Sequence, residues 1–328
     1  MSAEQPDSAG EFALIARHFT RQRPGRSGVI LGVGDDCALL APAPGQQLAV
    51  SCDMLVEGRH FLSTVAPEHL GHKALAVNLS DLAACGAEPL GCTLALALPR
   101  ADEAFVARFA RGLFALADAH GIELVGGDTV AGPLNICITV FGQVPPGQAL
   151  LRSGARAGDE LWVSGTLGDA RLALEVFRGT LALPGEAFEQ VRVAMELPQP
   201  RVALGLALRG LASSAVDLSD GLLGDLGHVL QRSGVGATLD LAALPRSAVL
   251  AAQPEAVQRL CLLSGGDDYE LLFSAPAAQH GAVRASGARV GVAVSCVGRI
   301  DARVGLRLRE RDGRVLPARP RAFDHFAG

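Results

Sequence analysis

Eight aspartates stand either beside glycine or inside apolar segments: Asp35, Asp36, Asp53, Asp81, Asp128, Asp217, Asp220 and Asp267. Gly32-Val33-Gly34-Asp35-Asp36 follows the apolar run Val29-Ile30-Leu31, and Gly126-Gly127-Asp128-Thr129 follows Glu123-Leu124-Val125. Near the end, Ser264-Gly265-Gly266-Asp267-Asp268-Tyr269-Glu270 leads into Leu271-Leu272-Phe273. Glycine lets a backbone approach a ligand closely, since no Cβ intervenes. Two carboxylates about 4 Å apart repel by roughly 4 kcal/mol at an effective dielectric near 20, and a divalent cation offsets that repulsion. Aspartate oxygens suit a hard ion such as magnesium. Any one of these sites reads as a solvated turn, because Gly and Asp are ordinary turn residues; the recurrence is what points to metal chemistry. Several acids converging on one cleft would need more than one ion, and such a cluster implies a polyphosphate partner. Phosphoryl transfer needs little covalent help from protein, so acids, glycines and a few arginines are sufficient for it.

The elements that must position these residues can be read from periodicity and punctuation. Phe12, Ile15 and Phe19 predict a short amphipathic helix over residues 11–20. Residues 48–56 alternate as a strand, so Ser51 and Asp53 share one face and Cys52 takes the other. Residues 70–85 predict a helix with a Leu75, Leu79 and Leu82 stripe, closed by Gly86; Asn78 and Asp81 lie on a neighbouring face. A strand over 92–98 precedes a helix capped by Asp102, with Phe105, Phe109, Leu113 and Leu116 facing the core. A long strand covers 134–144, and Pro145-Pro146-Gly147 marks the expected junction between domains 1–146 and 147–328.

In the second half, a strand over 159–164 meets the turn Gly165-Thr166-Leu167-Gly168 and a helix from Asp169. Such a turn can hold a phosphate at a helix N-terminus, although Asp169 would repel one. Pro198 and Pro200 flank a break before a helix over 201–211. The strand 214–218 puts Asp217 and Ser219 on one face, Asp220 at the start of the next helix, and Asp225 on that helix's solvated side. Asp312-Gly313 predicts a hairpin.

Composition narrows the function classes. The chain has 328 residues, 49% hydrophobic and 19% charged, with a net charge of −5. That is globular, long enough for two cores, and without the basic footprint of a nucleic-acid partner. Its sole lysine, Lys73, lies between His72 and Ala74, which excludes a Walker A loop. The seven cysteines contain no C-x-x-C pair and lie mostly in apolar stretches, predicting buried free thiols in a reducing compartment. No membrane span or signal peptide is expected, and the reading is a soluble, cytoplasmic protein.

Five motifs in this order resemble the thiamine-monophosphate kinase family, within the superfamily of aminoimidazole-ribonucleotide synthetase. They are Gly32-Val33-Gly34-Asp35-Asp36-Cys37-Ala38, the segment from Lys73 to Ala83, Gly126-Gly127-Asp128-Thr129, Asp217-Leu218-Ser219-Asp220-Gly221-Leu222, and Gly265-Gly266-Asp267-Asp268-Tyr269-Glu270-Leu271. The resemblance runs from about Phe12 to Phe326. It implies a two-domain α/β (α+β) fold: an N-terminal mixed-sheet domain that pairs in a homodimer, and a C-terminal α/β domain. It also implies ATP-dependent phosphorylation of thiamine monophosphate to thiamine diphosphate, with several Mg2+ ions. Asp36, Ser51, Cys52, Asp53, Asp81, Asp128, Asp217 and Asp220 match the family's metal ligands. Gly127, Asp128, Arg152, Ser219 and Arg111 match its ATP-contacting positions. His60, Asp267 and Phe323 match the positions that line the thiamine phosphate pocket.

Two positions depart from the family. Cys52 stands where Thr is usual, and a thiol suits magnesium poorly, which leaves the backbone carbonyl or a weaker site. Asp267 replaces a common Glu and is one methylene shorter. The expected mechanism is direct in-line transfer with no protein nucleophile. The alternatives are another ATP-using enzyme of the superfamily and a non-catalytic magnesium–nucleotide-binding protein. Selenophosphate synthetases need a Cys near the N-terminus, whereas the first here is Cys37; the hydrogenase-maturation relatives carry a C-terminal Cys, whereas the last here is Cys296.

Overall fold

The computed structural model describes residues 11–21 and 28–318. The chain divides into two compact units, one comprising residues 1–78 and 89–145, the other residues 79–88 and 146–328.

The first unit holds β1 (Val29–Leu31), β2 (Leu39–Leu40), β3 (Gln47–Val56), β4 (Glu88–Leu98), β5 (Glu123–Ala131) and β6 (Asn135–Val144). Its main sheet has the order β3-β6-β4-β5, with β3 and β6 antiparallel and β4 and β5 parallel. It is therefore mixed, as the resemblance implies. The helices are α1 (Glu11–Leu14), which widens into a π-helical turn over Ile15–Phe19, α2 (Pro67–Cys85) and α3 (Glu103–His120). Phe19 is buried and Ile15 half-buried, while the side chain of Phe12 lies outside the described residues.

Helix α2 starts three residues earlier than its apolar stripe predicts, because Pro67 suits a first helical position. Leu75, Leu79 and Leu82 are its buried stripe, and Gly86 closes it in a left-handed conformation. The Asp102 carboxylate caps α3 by accepting the Phe105 N–H at 3.0 Å. The two helices cross closely, with Gly112 against the Glu68 carbonyl and Gly71 against the Phe109 carbonyl.

The second unit is built on a seven-stranded sheet. Its strands are β7 (Glu160–Ser164), β8 (Ser214–Asp217), β9 (Gly236–Asp240), β10 (Leu271–Ala275), β11 (Val294–Asp301), β12 (Gly305–Arg309) and β13 (Val315–Ala318), in the order β13-β12-β9-β11-β7-β10-β8. The β9–β12 pair is parallel and the remaining pairs antiparallel. The helices are α4 (Asp169–Phe177), α5 (Gly185–Glu196), α6 (Val202–Ala207), α7 (Leu222–Ser233), α8 (Ala248–Ala251), α9 (Glu255–Ser264) and α10 (His280–Arg289). The core gathers Leu161, Val163, Val216 and Leu272 from the strands and Leu172, Leu226, Val229 and Leu262 from the helices. Strands β12 and β13 form the hairpin expected around Asp312-Gly313.

Candidate active site

In the first unit the alternation of β3 decides which side chains can act together. Ser51, Asp53 and Leu55 point to the covered face, whereas Leu48, Val50, Cys52 and Met54 are exposed on the other. The Cys52 thiol thus faces away from Ser51 and Asp53 and lies 3.4 Å from the Cys137 sulfur on β6. The Asp53 N–H donates to Asn78 Oδ1 at 3.0 Å, and Asn78 Nδ2 donates to the Ala74 carbonyl at 3.0 Å. Asn78 is a buried tie between β3 and α2.

The Gly126-Gly127 pair does not end β5, as the strand–glycine–carboxylate pattern suggested; the strand runs through it to Ala131. Gly127 has φ +149°, and a Cβ there would sit 1.9 Å from the Leu94 carbonyl oxygen. Close strand approach alone therefore requires this glycine. Its neighbour Asp128 is exposed. Asp36 is exposed too, and its N–H donates to Asp35 Oδ1 at 2.9 Å in a tight turn. The His60 ring accepts the Val56 N–H through Nδ1 at 3.0 Å. Arg111 lies on the outer surface of α3 and donates to Glu68 Oε1 at 3.3 Å, beside the closer Arg108 at 2.7 Å. The Arg108 hydrogen bond holds the Glu68 carboxyl below its ordinary pKa.

In the second unit, two motifs far apart in sequence are zipped together. Asp267 N–H donates to the Ser219 carbonyl at 2.9 Å, Tyr269 N–H to Leu218 at 2.8 Å, and Leu218 N–H to Glu270 at 2.8 Å. Asp267 and Tyr269 have φ of 60° and 50°, so this turn holds two non-glycine residues in the left-handed region. The Tyr269 hydroxyl donates to Asp267 Oδ1 at 3.0 Å. Asp217 is buried, and its Oδ2 accepts the hydroxyl of the equally buried Ser80 at 2.8 Å. Ser80 is adjacent to Asp81 on α2.

Asp225 corrects the sequence reading. It is 2% exposed instead of solvated, and its Oδ2 accepts the Asp220 N–H at 3.1 Å. Burial first, and then the Asp220 charge, push its pKa up to about 7, against the pull of Arg152. Arg152 is exposed and sits in a segment tied to β8 by the Ala215 N–H to Leu151 carbonyl bond at 2.8 Å. Asp217, Ser219, Asp220, Arg152 and Asp267 thus occupy one neighbourhood of this unit. Helix α7 begins at Leu222, so Asp220 precedes it by two residues.

Beneath this neighbourhood lies a buried ionic knot that sequence reasoning missed. Glu270 is 6% exposed and accepts Arg201 Nε at 2.7 Å, a second Arg201 contact, and the Ser164 hydroxyl. Ser164 Oγ in turn accepts the Leu271 N–H at 2.8 Å. Gly165, with φ +56°, leaves the space that Glu270 fills, since a Cβ there would lie 2.0 Å from Glu270 Oε1. The only sequence signal was an acid next to a β-strand and an arginine next to prolines.

The turn after β7 is occupied by the protein's own carboxylates. Gly168 N–H donates to Asp268 Oδ1 at 2.8 Å, and Asp169 Oδ1 accepts the Ser247 hydroxyl at 2.6 Å. Burial drives the Asp268 carboxyl well above its ordinary pKa, with Glu270, Asp169 and Asp267 adding to the rise. The Asp268 carboxylate thus takes the Gly168 N–H that a phosphate at this turn would need.

The six predicted aspartate ligands divide between the units: Asp36, Asp53 and Asp128 in the first, Asp81, Asp217 and Asp220 in the second. Among the described residues no group of three or more His, Cys, Asp or Glu side chains is arranged to hold a metal ion. Phe323 lies outside the described residues. The seven cysteines are free, and only Cys92 and Cys261 are buried; Cys37 and Cys52 are exposed, since they lie in a turn and on an edge strand's open face. No helix among the described residues is long and apolar enough to cross a membrane.

Comparison with known proteins matches residues 34–144 to the AIR synthase related protein N-terminal domain and residues 156–310 to its C-terminal domain. Thiamine-monophosphate kinase of Escherichia coli K12 is 46% identical over 322 residues, spanning 98% of this chain and 99% of that protein. The chain belongs to the thiamine-monophosphate kinase family. Among solved structures, the family member from Stenotrophomonas maltophilia K279a superposes with a TM-score of 0.83 at 46% identity, covering 88% of this chain and 92% of that one. A structure described as AaThiL complexed with AMPPCP and TMP superposes at 0.75 and 29% identity, covering 87% and 89%. The two-domain α/β architecture implied by the resemblance is the one observed.

Proposed function

We propose that this chain transfers the γ-phosphoryl group of ATP to thiamine monophosphate, giving thiamine diphosphate and ADP. The observation that carries the reading is the 46% identity, end to end, with a relative of that activity. The E. coli protein aligns over nearly the full chain, so both motif-bearing halves are included.

The donor set suits magnesium. Apart from Cys52, whose thiol faces away from Asp53, the candidate ligands are carboxylates and hydroxyls, which are hard oxygen donors. Asp53 with Ser51 on β3, and Asp217 with Asp220 beside the Ser219 turn, would hold the ions. Magnesium uses one or two carboxylates and completes its octahedron with water and phosphate oxygens. When bound, it supplies charge screening between the two phosphate groups.

The chain's own residues orient the reactants. Arg152 presents a guanidinium suited to bidentate phosphate contact, and Asp267 is held in a strained turn by Tyr269 on the acceptor side. The acceptor oxygen is already anionic and attacks the γ-phosphorus without a strong general base. No protein nucleophile is assigned. Ser80 and Asp225 are positioning residues, through Asp217 and through the Asp220 backbone.

A homodimer follows from the same reading. Strand β3 is an edge strand whose open face exposes Leu48, Val50 and Met54 by 49, 56 and 52%. A second copy of the chain is the proposed cover for that face. The free thiols suit a reducing compartment, and we place the enzyme in the cytoplasm.

The test is incubation of the purified chain with ATP, magnesium and thiamine monophosphate, with chromatographic detection of thiamine diphosphate. Equimolar thiamine diphosphate and ADP are expected. ATP consumption supported by selenide or an amidine precursor, but not by thiamine monophosphate, would assign the chain to another activity of the superfamily. Magnesium–ATP binding without turnover would make it a non-catalytic binding protein.

A further inference from the structure

The second unit contains a cavity of about 100 Å³ lined by none of the residues assigned above to metal, nucleotide or acceptor. Three elements border it: the segment after β9, one side of α9, and the turn of the β12–β13 hairpin. Leu241, Leu244, Leu262 and Leu263 supply apolar walls, and Arg246 and Arg311 supply charge.

The charges do not cancel locally. Arg259 also borders the cavity, but Glu310 neutralises it with contacts of 2.8 and 3.1 Å. Arg246 has only neutral acceptors: Nε donates to the Leu244 carbonyl at 3.2 Å, Nη1 to Gln258 Oε1 at 2.8 Å, and Nη2 to the Leu241 carbonyl at 2.7 Å. Burial, and then the positive charge of Arg311, work against its protonated form. Glu255 borders the cavity from the first turn of α9 without bonding to Arg246. A guanidinium has five N–H donors, so three fixed contacts hold the Arg246 fork rigid and leave two for a ligand. The whole chain carries −5, so a cavity with two arginines lacking a carboxylate contact is a local reversal of its field.

We propose that this cavity binds a small organic anion, its anionic oxygens on Arg246 and Arg311 and its apolar body among the leucines. A volume of about 100 Å³ accommodates a short apolar body of about three or four carbons, and the site opens to solvent where Arg311 is exposed. A carboxylate and a phosphate monoester share the head-group chemistry. The inference stands independently of the kinase reading, because it uses none of that site's residues.

The test is isothermal titration of the full chain with butyrate, propyl phosphate and butanol. At least one anion is expected to bind, the better one identifying the head group, and neutral butanol to fail. Arg246→Gln and Arg311→Gln should each weaken that anion by about tenfold, the loss typical of a charge-assisted bond. Arg246→Lys, which keeps charge without the fork, should fall between. Arg311 is exposed, so Arg311→Gln decides the matter even if Arg246→Gln fails to fold. Failure of both anions to bind, butanol binding as tightly as the better anion, or binding undiminished in Arg311→Gln overturns the proposal.

Discussion

Replacing Arg201 with leucine would leave the Glu270 carboxylate in the interior without its cation. Glu270 is 6% exposed and would keep only Ser164 among the side-chain donors described above. Removing one partner of a buried pair costs about 3–5 kcal/mol. The Arg201 side chain is 23% exposed, so solvent screens part of the pair, and we expect about 3 kcal/mol, or two decades in the folding equilibrium. The double variant Arg201→Leu with Glu270→Met removes both charges at similar volume and should recover at least about 1 kcal/mol of the loss. Trp162 makes the measurement specific. It is the single tryptophan, 1% exposed on β7, two residues from Ser164 and stacked on Phe273. Its fluorescence in a urea titration therefore follows the unit that holds the knot. A loss below about 1 kcal/mol in the single variant, or a double variant as unstable as the sum of the singles, would refute the reasoning.

Four further outcomes follow. Ser80→Ala leaves the buried Asp217 one donor short and should cost about 1–3 kcal/mol while raising the magnesium concentration needed for half-maximal velocity; an unchanged magnesium titration removes Ser80 from the site. Asp268 has a folded-state pKa raised by burial, so its stabilising contribution is complete below the unfolded value near pH 4 and is lost as pH rises toward the folded value. Asp268→Asn should flatten that decline in a thermal-melt pH series, and parallel profiles would contradict the assignment. Val50→Lys places a charge on the open face of β3 and should convert a dimer to a monomer in light scattering; an unchanged mass would place the interface elsewhere. Asp81→Asn should abolish turnover with the fold intact by circular dichroism, whereas near-normal activity would remove Asp81 from the metal set.

Much of the fold was legible because its signals are local. The Asp102 cap, the Gly86 closure, the β3 alternation and the Asp312-Gly313 hairpin each depend on a few neighbouring residues, and each appears in the structure. What local pattern cannot give is the partner of a side chain across the fold. Asp225 reads as a solvated helix position and Asn78 only as a neighbour of Asp81, yet Asn78 ties β3 to α2 and Asp225 holds the Asp220 backbone. Gly165 reads as part of a phosphate-holding turn, whereas in the structure it makes room for Glu270; Gly127 also admits the Leu94 backbone, a close approach that its place in a motif did not signal. Burial of the thiols is likewise not set by apolar neighbours in sequence: Cys52 lies in an apolar strand whose apolar face is open. The motif set carried the family, and the arrangement of Ser219, Asp220 and Asp267 in one neighbourhood was invisible until β8 and the segment before β10 were seen zipped together.

The central claim is that acidic side chains and their ions let two phosphate groups react directly, with no protein intermediate. The stereochemical course at phosphorus tests it most directly, using ATP made chiral at the γ-phosphorus with oxygen isotopes and thiamine monophosphate as acceptor. A single in-line displacement predicts inversion of configuration in the thiamine diphosphate formed. Retention, which requires two displacements and a phosphorylated intermediate, would contradict the account.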